Sequence, residues 1–157
     1  MKKIAVWLPA LAWMGVIFFM SAMPGEVSGE QSGRIAALVM SAADLLLGDG
    51  AAALSPDLVN LLVRKCAHMA EYAILFVLYR FALTRSGARR PGLTALCLCA
   101  AYAATDEGHQ AFVAGRGPSI VDVGIDTLGA FAAWGVWGTA ARLCGKRTSR
   151  RTEHETV

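Results

Sequence analysis

The chain has 157 residues, of which 55% are hydrophobic and 17% charged, and a mean hydropathy of +0.47. Its length bounds it at one domain, and its apolar share exceeds that of an ordinary soluble domain, so a bilayer is the expected solvent. A net charge of +3 in such a chain is no nucleic-acid footprint.

The first predicted element runs from Ile4 to Ala22 without a charge. It is long enough to cross a hydrocarbon core of roughly 30 Å at ~1.5 Å per residue. Lys2 and Lys3 precede it, as they would in a signal peptide, but the run is longer than a signal's apolar core and Ser21-Ala22 is a poor cleavage site, which favours an uncleaved span. In the connection that follows, Ile35, Leu38, Val39, Ala42, Leu45 and Leu46 recur at helical spacing. This predicts a short amphipathic helix, too short to span, which lies flat on the outer leaflet, covers a site as a lid, or is an ordinary packing helix. Apolar spacing resumes at Leu54, Leu58, Leu61 and Leu62, where Ser55 suits an N-cap and Pro56 the first helical position.

Three further spans are predicted at about 64–83, 92–112 and 120–143, separated by Gly87, Pro91-Gly92 and the Ala114-Gly115-Arg116-Gly117-Pro118-Ser119 turn. Residues 1–145 then form a four-helix transmembrane domain, and 146–157 a basic polar tail. Lys2, Lys3, Arg85, Arg89, Arg90, Arg142, Lys146 and Arg147 fall on one side of the spans, whereas Glu26, Glu30, Asp44, Asp49 and Asp57 fall on the other. The positive-inside rule therefore expects both termini in the cytoplasm, the chain in the cytoplasmic (inner) membrane, and the basic tail against anionic headgroups. The fold expected is all-α, an integral membrane four-helix bundle with the extra helix in its first external loop.

This topology gathers polar residues at the outer ends of three spans. Arg64, Lys65, His68, Glu71 and Tyr72 share about a third of the circumference of the second helix, at 100° per residue. Tyr102, Asp106 and Gln110 stand at i, i+4 and i+8 on the third, with Glu107 one step round. Asp122, Asp126, Gly129 and Ala133 line one stripe of the fourth. Ionisable residues in membrane helices are costly and usually face the bundle interior or a watery cavity. One reading is that Arg64, Lys65 and Arg116 merely pair with the acids and hold the bundle together. Five acids (Glu71, Asp106, Glu107, Asp122, Asp126) against those three cations argue for more, since the surplus needs a protonated His68, a bound cation or a neutral carboxyl. Cys66, Cys97, Cys99 and Cys144 offer no pair with the compartment and geometry of a disulfide.

The segments RKCAHMAEYAILFVLYR and TDEGHQAFVAGRGPSIVDVGIDTLGA, together with FMSAMPGEVSGEQS after the first span, resemble the VanZ-like family of small bacterial membrane proteins, over residues 18 to about 135. The resemblance implies a four-helix membrane protein whose founding member lowers susceptibility to teicoplanin, a lipoglycopeptide antibiotic. It carries over Lys65, His68, Tyr72, Asp106, Glu107, Gln110, Arg116, Asp122 and Asp126 as site residues, with His109 at a freely varying position.

Three function classes stay open. The first is an envelope accessory protein that binds a lipid-linked envelope precursor or a lipoglycopeptide at the outer leaflet. Its ligand would be held by Lys65, Tyr72, Gln110, Arg116 and Asp126, with the two cations on a phosphate or carboxylate. The second is a membrane-embedded hydrolase or transferase on a lipid headgroup, with His68, Asp106, Glu107 or Asp122 in acid–base roles. A metal among such hard ligands would be magnesium, calcium or manganese before zinc. The third is a transporter, disfavoured by four helices without an internal repeat. No Gly-x-Ser-x-Gly or His-Glu-x-x-His motif fixes a reaction.

Overall fold

The structure, a computed structural model, describes the backbone of residues 2–48 and 55–154 and the side chains from 4 to 142 apart from Leu47 within them. Asp49, Leu54 and the side chains of Lys2, Lys3, Cys144 and the basic residues from Lys146 onward lie outside the described set. Among the described residues the chain is helical throughout and has no strand. The helices are α1 (Lys2–Ala5), α2 (Leu8–Ser21), α3 (Gly25–Leu47), α4 (Pro56–Arg85), α5 (Pro91–Gln110) and α6 (Ile120–His154).

The first predicted span is broken. Pro9 has no N–H to donate to the Ala5 carbonyl and its ring crowds that carbonyl, so a continuous helix from Ile4 cannot form. A turn closed by the Trp7 N–H on Ile4 O (3.0 Å) intervenes. What remains, α2, has 14 residues, about 21 Å at ~1.5 Å per residue, less than a hydrocarbon core. The chain then bends by 103° into α3. By length and apolar composition alone, Ile120–Arg142 qualifies as a membrane span by itself, and α2 with α3 qualify if the bent pair counts as one.

The amphipathic helix of the first connection is nearly twice as long as its apolar spacing suggested. It starts at Gly25 instead of near Ile35, because Pro24 ends the preceding turn in extended geometry (φ −50°, ψ 148°) and the Ser32 hydroxyl bonds within the helix. Ser32 Oγ donates to Ser28 O at 3.1 Å, the local bond by which a hydroxyl tolerates a helix interior. Ser32 and Ala36 are buried toward the bundle, whereas Leu38 and Leu45 on the other side are exposed. The expected start of α4 holds, with Pro56 first in the helix and Ser55 extended before it, although the Ser55 hydroxyl makes no capping bond.

The hub is α4, on which α6, α5, α3 and α2 all pack. Its Tyr72, Leu75, Phe76 and Tyr79 form the core with Ala95, Cys99 and Ala103, which repeat every four residues on α5 and so leave a small-residue groove for the larger rings. α2 is tied on by side-chain donors: Trp13 Nε1 to Glu71 O at 2.9 Å and Tyr102 OH to Met14 O at 2.7 Å. Cys66, Cys97 and Cys99 are free thiols.

The closest seam lies between α4 and α6, where a Cβ on Gly129 would collide with the backbone of Met69. The Gly129→Val variant must push the helices apart, so it should lose at least about 2 kcal/mol of stability in denaturant unfolding of the purified chain. Gly124→Val, where a Cβ meets nothing, should cost far less.

Candidate functional site

The polar residues of α4, α5 and α6 meet at one end of the bundle. Along the α4–α6 seam, Lys65 Nζ pairs with Asp122 Oδ1. One turn further in, His68 Nδ1 lies 3.9 Å from Asp126 Oδ1 and 3.7 Å from Glu71 Oε2. One turn beyond that comes the Met69–Gly129 contact. The stripe expected on α6 therefore faces α4 in the order its spacing requires. Asp126 is 1% exposed, and its Oδ1 has no hydrogen-bond partner. The fully buried Tyr72 hydroxyl is likewise unpartnered, close enough to Tyr102 for the rings to tilt together at 6.3 Å.

A second chain of bonds runs through the end of α5. Asp106, 3% exposed, accepts from Ser21 Oγ at 2.6 Å and from Gln110 Nε2 at 3.2 Å. Gln110 Oε1 accepts from Arg116 Nη1 at 3.2 Å, and Arg116 Nη2 donates to Met20 O at 3.3 Å. Glu107 points the other way, where Oε2 accepts the Ser119 N–H at 2.9 Å just before α6 begins. The turn between α5 and α6 is shaped by Gly115 at φ +72°, a conformation that suits glycine. Ala114 O in that turn accepts the Gly25 N–H at 3.0 Å, and a Cβ on Gly25 would strike Gly115 O. Burial, and after it the neighbouring Arg64 guanidinium, hold Arg116 below its ordinary pKa.

Between α3 and α4 a cavity of about 110 Å³ opens onto this cluster. Arg64, His68 and Glu71 of α4 line it with Arg116, while Gln31 and Ser32 of α3 close it from above. Met20, Ile35 and Val63 supply an apolar part of its wall.

All the expected site residues thus fall in one region, but in two roles. His68, Glu71 and Arg116 reach the cavity. Lys65 and Asp122 occupy each other, Asp106 and Gln110 form a buried brace, and Glu107 fastens the turn to α6. Of the cations on α4, Arg64 lines the cavity with Arg116, and Lys65 does not. Ser21 was not among the expected site residues, although it falls in the FMSAMPGEVSGEQS segment that carries the resemblance. His109 faces α2 and packs on Phe18, ring centroids 4.5 Å apart. Arg80, far down α4, lies over Trp137 at 5.0 Å and takes no part. Among the described residues no three His, Cys, Asp or Glu side chains are gathered to hold a metal ion.

An all-helical bundle with a buried, cross-linked polar network at one end and an apolar outer surface defines a small helical protein of the membrane-associated kind. The chain belongs to the VanZ/LLP1 family, whose model matches residues 6–141. No curated protein and no solved structure matches it.

Removing Asp106 by Asp106→Ala orphans Ser21 and Gln110 together, and should cost about 2–4 kcal/mol in unfolding measurements, with Asp106→Asn in between. For Lys65 and Asp122, each about a quarter exposed, a double-mutant cycle with Lys65→Met and Asp122→Leu should return a coupling of about 1 kcal/mol.

Proposed function

We propose that the chain is a multi-pass protein of the cytoplasmic membrane whose polar end faces outward and acts with a lipid-linked cell-envelope ligand, so that lowered susceptibility to lipoglycopeptide antibiotics is one consequence of its presence. Four spans carry it, contributed by α2 with its bend into α3, α4, α5 and α6, with both termini inside. The charge bias supports this orientation: the arginines of the α4–α5 connection lie at one end, and the acidic α3 region at the other. A bilayer is supported by the outer surface, where Leu8, Phe19, Leu38, Leu45, Phe131 and Val136 are all exposed, an apolar share that water does not tolerate over a large area.

The observation that carries the ligand reading is the cavity beneath α3, which combines two guanidinium groups with an apolar wall at the buried polar end of the bundle. In this reading α3 lies across the leaflet as a cover. Its 103° turn from α2 and its exposed Ile35, Leu38 and Leu45 suit that position.

A second reading, a hydrolase or transferase on a lipid headgroup, draws on one feature. His68 borders the cavity with two carboxylates 3.7 Å and 3.9 Å from Nδ1, close enough to orient the ring for acid–base chemistry. Incubation of the purified protein with labelled lipid-linked precursor separates the two, since stoichiometric retention means binding and multiple turnovers mean catalysis.

Alanine variants of His68, Asp106, Arg116 and Asp122 should insert into the membrane, with Asp106→Ala the least stable, and His68→Ala and Arg116→Ala should abolish any protection of cells against envelope antibiotics. Full protection in all four would reduce the cluster to structural glue. An alkaline phosphatase fused after Val157 should be inactive, and activity there would reverse the proposed orientation.

A further inference from the structure

Two guanidinium groups, those of Arg64 and Arg116, line the cavity between α3 and α4 with a single carboxylate, that of Glu71, on the same wall. Among the described residues neither Arg64 nor Arg116 forms an ion pair with a carboxylate; the ion pair there joins Lys65 to Asp122, while His68 Nδ1 stands 3.7 Å from Glu71 and 3.9 Å from Asp126. Arg116 is held by Gln110 Oε1 and Met20 O, and its Nε is buried without a partner. Arg64 makes no side-chain hydrogen bond to another described residue, and its charge already disfavours the charged form of Arg116. Bringing guanidinium groups together away from bulk water costs energy unless an anion joins them, and a fork of N–H donors fits phosphate and carboxylate oxygens best.

We propose that this cavity is an anion site, in which Arg64 and Arg116 clamp the phosphate or carboxylate of an amphiphile whose chain leaves along Met20, Ile35 and Val63. The assignment rests on reading the polar end as a ligand site, and it replaces Lys65 by Arg64 as the second cation. Lys65 and Arg64 are neighbours in sequence, but a step of 100° turns Lys65 to α6 and Arg64 to the space under α3. Glu71 on the same wall supplies an acceptor beside the two donors, so the headgroup that fits carries a hydroxyl or ammonium next to its anionic group. Gln31 of α3 adds an amide above it.

The test uses the full chain in nanodiscs of neutral phosphatidylcholine. Lysophosphatidic acid, which joins a phosphate to a hydroxyl and an acyl chain, is titrated in parallel with lysophosphatidylcholine and with inorganic phosphate, and retention is read by native mass spectrometry. Lysophosphatidic acid should bind at least about tenfold more tightly than lysophosphatidylcholine, and Arg64→Gln and Arg116→Gln should each weaken it about tenfold, the loss expected for one charge-assisted bond. Arg64→Lys should lose less, and Arg89→Gln, at the other end of the bundle, should match the unmodified chain. Inorganic phosphate that binds and competes identifies the headgroup alone as sufficient, whereas phosphate that fails to compete shows that the chain is needed; either supports the clamp. No preference over lysophosphatidylcholine in the unmodified protein overturns it, and so does unchanged retention in a monodisperse Arg64→Gln. If Arg116→Gln unfolds through loss of its bonds to Gln110 and Met20, Arg64→Gln alone decides, because Arg64 braces nothing. The orientation is judged separately by the phosphatase fusion: an inverted topology would defeat the outward-facing reading and leave retention by the purified protein intact.

Discussion

The structure depends on the approach of α4 to α6. Gly129 lets the two backbones touch at Met69, and that contact sets the depth at which His68 meets Asp126 and Lys65 meets Asp122. Ionic contacts of this kind do not supply much net stability, because the charges must first leave water. Tight backbone packing supplies what they cannot, and the polar pairs then fix which turn of one helix faces which turn of the other. The glycine and the carboxylates on α6 are thus parts of one device, read along a single stripe.

Around that seam the polar groups divide by whether they are partnered. The buried Asp106 and Gln110 are spoken for by Ser21 and Arg116, and they join α2, α5 and the following turn. Among the residues left with an unpartnered buried atom, Arg116 lines the cavity, whereas Asp126 and Tyr72 are buried and do not. Buried polar atoms normally find partners, so an unsatisfied guanidinium nitrogen beside a cavity is where function is best sought.

The sequence made part of this legible, for a simple reason. Within one helix the 3.6-residue period fixes which residues share a face, so the Asp122–Asp126–Gly129 stripe and the Asp106–Gln110 pair could be read directly, and both are found. The end of the bundle at which they meet followed from the alternation of helices. What escaped depended on contacts between segments or on competing local signals. Pro9 was visible, but an uncharged run from Ile4 to Ala22 spoke louder than the break it imposes. The stretch from Gly25 to Arg34 carries no sustained apolar spacing, so the helix was expected only from Ile35; in the structure its Ser28 and Ser32 line the cavity between that helix and α4. Which of Arg64 and Lys65 serves the cavity could not be decided from phase, because both lay within the same third of the circumference, and only the positions of α3 and α6 separate them.

One contact joins the cover to the site it covers. Gly25 opens α3, Gly115 shapes the turn that bears Arg116, and their main chains meet with no room for a side chain between them. The root of the lid and the root of the guanidinium are therefore hinged on the same pin. If α3 swings aside to admit an amphiphile, as proposed, the turn that bears Arg116 moves with it, and two atoms of backbone carry the motion from one to the other.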